Sequence, residues 1–148
     1  MLGTYFWCAD VSWVCPESVG FCSRLEEAEA VLLVLGQWML RMVDVQKAVA
    51  QRGFPVGIEA EIDFALEDVE LSENAGAWRL SVSGGEGRLE PTEKARLRLG
   101  IGAFSSWYSG WADAATLLNA GLVEEAGAEG ELLDACFAGR TPWMMNEF

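Results

Sequence analysis

After Pro55 the chain reads VGIEAEIDFALE, in which Val56, Ile58, Ala60, Ile62, Phe64 and Leu66 alternate with Gly57, Glu59, Glu61, Asp63, Ala65 and Glu67. Neighbouring side chains of a strand point to opposite faces, so this alternation predicts one strand over 56–67 with one face buried and one wet. Pro55 bars helix at its start. The rest of the fold must then supply strands beside this one and a layer that covers its apolar face.

Other segments supply candidates for both. WMLRMVD reads as a strand ending at Asp44, which can cap the helix VQKAVAQRG, closed by Gly53. AWRLSVSGGEGRLEP places Trp78, Leu80 and Val82 on one face and then turns through Gly84 and Gly85. No helix follows GGEG and no Lys-Ser/Thr pair is present, so it reads as a hairpin turn rather than a phosphate loop. KARLRLGI sets Ala95, Leu97 and Leu99 inward and Lys94, Arg96 and Arg98 outward. If this strand pairs antiparallel with the 56–67 strand, its basic face meets the acidic one.

In RLGIGA the two glycines, Gly100 and Gly102, mark a strand-to-helix junction. AFSSWYSG, ADAATLLNAG and AEGELLDACFAG then follow as helices, each stopped by a glycine. The order β-α-β-β-β-α-α-α, in which the hairpin AWRLSVSGGEGRLEP is one β and counts as two strands, predicts an α+β domain, a mostly antiparallel five-stranded sheet with helices packed on one side. Residues 1–36 look different. They hold three of the four cysteines, and Ser23 with Glu26 forms a capping box for a helix near 24–30, yet AVLLVL suits a buried strand equally. The division expected is therefore a segment 1–36 whose structure the pattern leaves open, and a domain over 37–148.

Composition narrows the chemistry. No histidine is present, which excludes Ser-His-Asp and Cys-His catalysis and His-ligated metals in this chain. Cys8, Cys15, Cys22 and Cys136 lack a CxxC pair, so they read as reduced apolar residues and no metal site is expected. A formal charge of -13 argues against nucleic acid. The apolar runs at 30–35 and 38–40 are far short of the roughly 18 residues that span a bilayer. The first twenty residues, with Asp10 and no basic residue ahead of the apolar stretch, fail as a secretory signal, and a cytoplasmic protein is the expectation.

Two aromatic groups stand out. Phe104, Trp107 and Trp111 recur at helical spacing and read first as core, with Tyr108 and its flanking serines left to face a pocket. Glu59, Glu61 and Asp63 share a strand face of the kind that is ordinarily solvated. The ending TPWMMNEF carries Pro142, Trp143, Met144, Met145 and Phe148 where a tail is normally polar, so it packs either on its own domain or in another cavity.

Together, WMLRMVDVQKAVAQRGF, LRLGIGAFSSWYSGWADAATLLNAGLV and TPWMMNEF give residues 37–148 a pattern that resembles the C-terminal, sterol carrier protein-like domain of the Eis (enhanced intracellular survival) GNAT-type acetyltransferase family. The resemblance implies a sterol carrier protein-like fold whose tail enters the active site of separate GNAT-type acetyltransferase domains, carried on the same chain or encoded upstream. There the terminal carboxylate, here that of Phe148, acts as general base, with Pro142 and Trp143 fixing the path of the tail. It implies acetyl-CoA for the full-length family and no cofactor in this chain, which holds no acetyl-CoA-binding domain and is not expected to be active alone. Support of assembly follows from the resemblance, and a homo-oligomer is compatible with it. The alternative is a standalone lipid- or sterol-binding carrier, with Trp107, Tyr108 and Trp111 near the mouth of its ligand cavity.

Overall fold

The computed structural model describes residues 39–139. The 1–36 segment with its expected helix, and the tail from residue 140 onward, lie outside the described residues. The alternating stretch forms β1 (Ala60–Glu67), with Ile62, Phe64 and Leu66 buried. A hairpin follows, β2 (Gly76–Ser83) and β3 (Glu86–Pro91), then β4 (Leu97–Gly100). Helix α1 (Val45–Gln51) precedes the strands, and α2 (Ile101–Ser109), α3 (Ala114–Asn119) and α4 (Gly127–Phe137) follow them.

Among the described residues the sheet has four strands in the order β3-β2-β1-β4, and it is mixed. The expected five-stranded, mostly antiparallel sheet is thereby corrected. β1 pairs antiparallel with β2, aligning Ile62 with Leu80 and Phe64 with Trp78, and β2 pairs antiparallel with β3, aligning Leu80 with Leu89. β4 runs parallel to β1, with Phe64 opposite Leu97 and Leu66 opposite Leu99. The chain passes from one sheet edge to the other through residues 92–96, so β4 enters in the same direction as β1. The α+β class holds: one face of the sheet joins the helices in a single core that includes Phe64, Leu80, Leu99, Phe104, Leu133 and Phe137.

Two further expectations fail at the strand ends. Residues 39–44 are not a strand. Their backbone is held by distant side chains instead, since Met42 N donates to Ser105 Oγ at 3.1 Å and the Val43 carbonyl accepts from Asn74 Nδ2 at 3.3 Å. The strand after Pro55 begins later than its alternation: Ile58 N closes a turn onto the Pro55 carbonyl, and Val56 is 76% exposed. Asp44 does cap α1, accepting from Lys47 N at 2.9 Å.

GGEG is a turn, with Gly84 and Gly85 both at positive φ (59° and 88°), the combination that favours a two-residue hairpin loop. Gly87 has a separate role. A Cβ there would lie 2.3 Å from a ring carbon of Phe54, so β3 is bare at that point to let the ring lie against it.

The outer face of the sheet carries the charges. Arg79 makes a two-pronged bond to Asp63, both contacts at 2.8 Å, and approaches Glu61 at 3.6 Å. The Arg79 guanidinium holds the Asp63 carboxyl below its ordinary value. The acidic face of β1 is thus met from β2, while from β4 Arg98 reaches Glu67 only at 4.0 Å. The basic-to-acidic complement expected of an antiparallel β4 is not what the parallel strand makes.

Candidate functional site

Where α1, α2 and α4 end, one cation joins all three. Arg52 is the C-cap of α1. Its Nη1 donates to the Tyr108 carbonyl in the last turn of α2 at 2.6 Å, and its Nη2 to the Phe137 carbonyl, the last of α4, at 3.3 Å. The final carbonyls of a helix have no partner within it and sit at the negative end of its dipole, so a guanidinium satisfies both needs. The same cation lies 4.9 Å from the Tyr108 ring centre and 5.2 Å from that of Phe137, within cation–π range. Only a planar fork can grip two carbonyls while its flat body lies among rings, which a lysine could not do. Its Nε is buried without a hydrogen-bond partner.

The rings around it close the inner side. Phe137 packs on Phe54 and Phe104 with centroids 5.9 Å apart in each case, and Phe104 packs on Phe64 at 5.0 Å. The Tyr108 hydroxyl donates to the Ala48 carbonyl in the last turn of α1 at 3.0 Å. Cys136 is buried beside this end of α4, and burial pushes its thiol up from the ordinary value.

The aromatic residues singled out in the sequence fall into different places. Trp107 is 1% exposed, with its indole Nε1 donating to Asp134 Oδ1 at 2.7 Å. The same Asp134 oxygen accepts from Ala114 N at 2.9 Å, so one carboxylate fastens α2 and the start of α3 to α4. At this crossing Gly130 allows close approach, since a Cβ there would meet the Ala114 methyl at 3.3 Å. Tyr108 stands half-buried beneath Arg52, and Trp111, past the end of α2, is 50% exposed. The structure therefore gathers Trp107 and Tyr108 on the core side of α2, with Trp111 beyond the end of that helix. Pro142, Trp143 and Phe148 lie outside the described residues.

Sequence reasoning did not single out Arg52, Asp68, Asn74 or Asp134. Asp68 and Asn74 form a second polar knot. Asp68 accepts from Arg41 at 2.6 Å, from Asn74 Nδ2 at 2.9 Å, and from the backbone of Glu70 and Leu71, both at 3.0 Å. Burial by itself raises its pKa, but these donors outweigh it and bring the carboxyl to about 2. Asn74 also accepts from Val45 N, and its carbonyl accepts from the Trp78 indole. The knot thus seats the start of α1 on the sheet. Among the described residues no helix is long and apolar enough to cross a membrane.

Residues 45–145 match a family model described as sterol carrier protein domain. Among solved structures, a GCN5-related N-acetyltransferase from Kribbella flavida superposes with a TM-score of 0.68 at 37% identity, over 73% of this chain and 28% of that one. A GCN5-related N-acetyltransferase from Anabaena variabilis gives 0.67 at 33% identity, over 70% and 27%. Eis1 from Mycobacterium abscessus gives 0.59 at 30% identity, over 73% and 27%. This chain spans less than a third of the length of each. Among curated proteins none matches.

Proposed function

The chain belongs to the sterol carrier protein domain family, and from that premise we propose that it serves as the C-terminal domain of an Eis-like N-acetyltransferase. It contributes the terminal carboxylate of Phe148 to the active site of separate GNAT-type acetyltransferase domains and supports their assembly. The observation that carries this reading is the pattern of coverage: nearly three quarters of this chain lies on little more than a quarter of an N-acetyltransferase, at 37% identity.

The division of labour follows from the chemistry. Acetyl-CoA, held by the partner domains, supplies the acetyl group to the amine and leaves as the free coenzyme A thiol. The tail supplies a base, because a carboxylate of ordinary pKa about 3.5 becomes a stronger one when desolvated. Pro142 and Trp143 fix its path, and the apolar residues before Phe148 tolerate that burial. The lipid-carrier reading is not better supported, although the family is described as a sterol carrier protein domain. Trp107 is committed to Asp134 and Tyr108 to Ala48 and Arg52, so neither side chain is spare for a ligand.

The test is one glycine added after Phe148 in an enzyme that carries this chain together with acetyltransferase domains. The extension moves the carboxylate by up to about 3.5 Å, outside the reach of hydrogen-bonded proton transfer. Turnover is expected to fall by roughly 100-fold or more with folding unchanged. Phe148→Ala, which keeps the carboxylate and loses its anchor, lowers turnover less. Normal turnover of the extended enzyme would remove the carboxylate from the mechanism.

A further inference from the structure

Arg52 binds the ends of two helices that differ in how they stop. α2 closes on Gly110 in the left-handed conformation, whose N–H returns to the carbonyls of Ser106 and Trp107. α4 has no such closure among the described residues: Ala138 leaves it at φ -52° and ψ 136°, an extended exit. Within these residues the Phe137 carbonyl is held by the Arg52 guanidinium, while the Phe137 ring is held by Phe54, Phe104 and Tyr108. Phe137 is therefore the last residue of α4 to be fixed both by its backbone and by its side chain. The chain that follows it is the one that ends at Phe148.

We propose that Arg52 is a positioning residue for the C-terminal tail: by fixing the Phe137 carbonyl it sets the direction in which the chain leaves α4 through Ala138 and Gly139. This rests on the tail-delivery reading above. Arg52 acts through the backbone carbonyls of Tyr108 and Phe137. A point charge at the same place would satisfy the helix ends by turns, whereas the fork holds both carbonyls at once and fixes their relative placement. The orphaned Nε fits this role, since the guanidinium is oriented by its two outer nitrogens and by the ring faces.

Limited trypsin digestion of the 148-residue chain reads the exit directly, because Arg140 lies just past Gly139. Cleavage after Arg140 is compared with cleavage after Arg88 and Arg98, which lie in β3 and β4. In Arg52→Met the ratio of the first to the others is expected to rise by roughly tenfold, and Arg52→Lys, with charge and no fork, recovers only part of it. An unchanged ratio, or equal acceleration at all three sites, would overturn the proposal, since the second is what a general loss of stability produces. Within an enzyme carrying the acetyltransferase domains, Arg52→Met lowers kcat while KM for acetyl-CoA stays put, and an unaltered kcat would count equally against it. The digestion reads the clamp alone, so its failure leaves tail delivery standing. Normal turnover of the glycine-extended enzyme removes tail delivery, and with it the catalytic relevance of Arg52, even where the Arg140 ratio responds.

Discussion

Two arginine–carboxylate pairs in this molecule have similar contact distances and opposite surroundings. Arg79 and Asp63 meet on the open face of the sheet with two contacts of 2.8 Å, the Asp63 side chain 21% exposed. Arg41 and Asp68 meet at 2.6 Å with the Asp68 side chain fully covered. The first pair loses little when broken, because water replaces each partner. The second cannot be broken so cheaply, since Asp68 also holds Asn74 and two backbone N–H groups that would be stranded with it. The number of buried donors depending on a carboxylate, rather than the length of its ion pair, decides its structural weight.

The sharpest break between the two settings lies along β1 itself. Ile62→Asp places a charge on the buried face at a fully covered position and is expected to abolish folding, at a cost of several kcal/mol. Its neighbour Glu61→Lys, on the open face, should change stability by only about 0.5 kcal/mol. Circular dichroism of the two variants decides it, and equal melting curves would mean that the faces are wrongly assigned. Next in size, Asp68→Ala should lower the thermal midpoint by roughly 10 °C or more, whereas Asp63→Ala stays within about 1 kcal/mol of the parent. The smallest effect is in acid. The Asp68 carboxyl is held down to about 2, so the unfolded chain binds its proton first, and the stability it supplies is complete above the ordinary carboxylate range and drains away as pH falls toward 2. The gap in stability between the parent and Asp68→Asn should therefore narrow over that window, and a constant gap would show that the charge is not what matters.

The open and covered faces were legible in the sequence to very different degrees. Alternation located β1, β2 and the inward Leu97 and Leu99, because burial on one face leaves a period of two that needs no knowledge of partners. The sterol carrier protein domain and its α+β class were readable from the segments around Asp44 and Gly100. Direction was not readable: whether β4 joins β1 parallel or antiparallel depends on residues 92–96 crossing the sheet, and nothing in KARLRLGI encodes it. WMLRMVD looked like a strand because its apolar residues suit one, but the partners of its described part, Ser105, Asn74 and Asp68, are far along the chain. DVELSEN in turn reads as a polar loop. Its Asp68 takes the N–H groups two and three residues on, a local turn signature that was available, while its burial was not. Arg52 looked like the end of a helix, and only the tertiary fold shows the two other helix ends that converge on it.

The central place of β1 in the sheet bears on how the chain is made. Residues emerge in order, so β1 can pair with β2, and β2 with β3, while the other edge of β1 waits for Leu97–Gly100 to leave the ribosome. Throughout that interval a strand with a fully apolar inner face offers a free row of backbone donors and acceptors to any extended neighbour, which is the usual start of aggregation. The carboxylates of Glu61, Asp63 and Glu67 along its other face repel a second copy of the same strand, so the charged side that does least for the finished fold is the one that protects the unfinished chain.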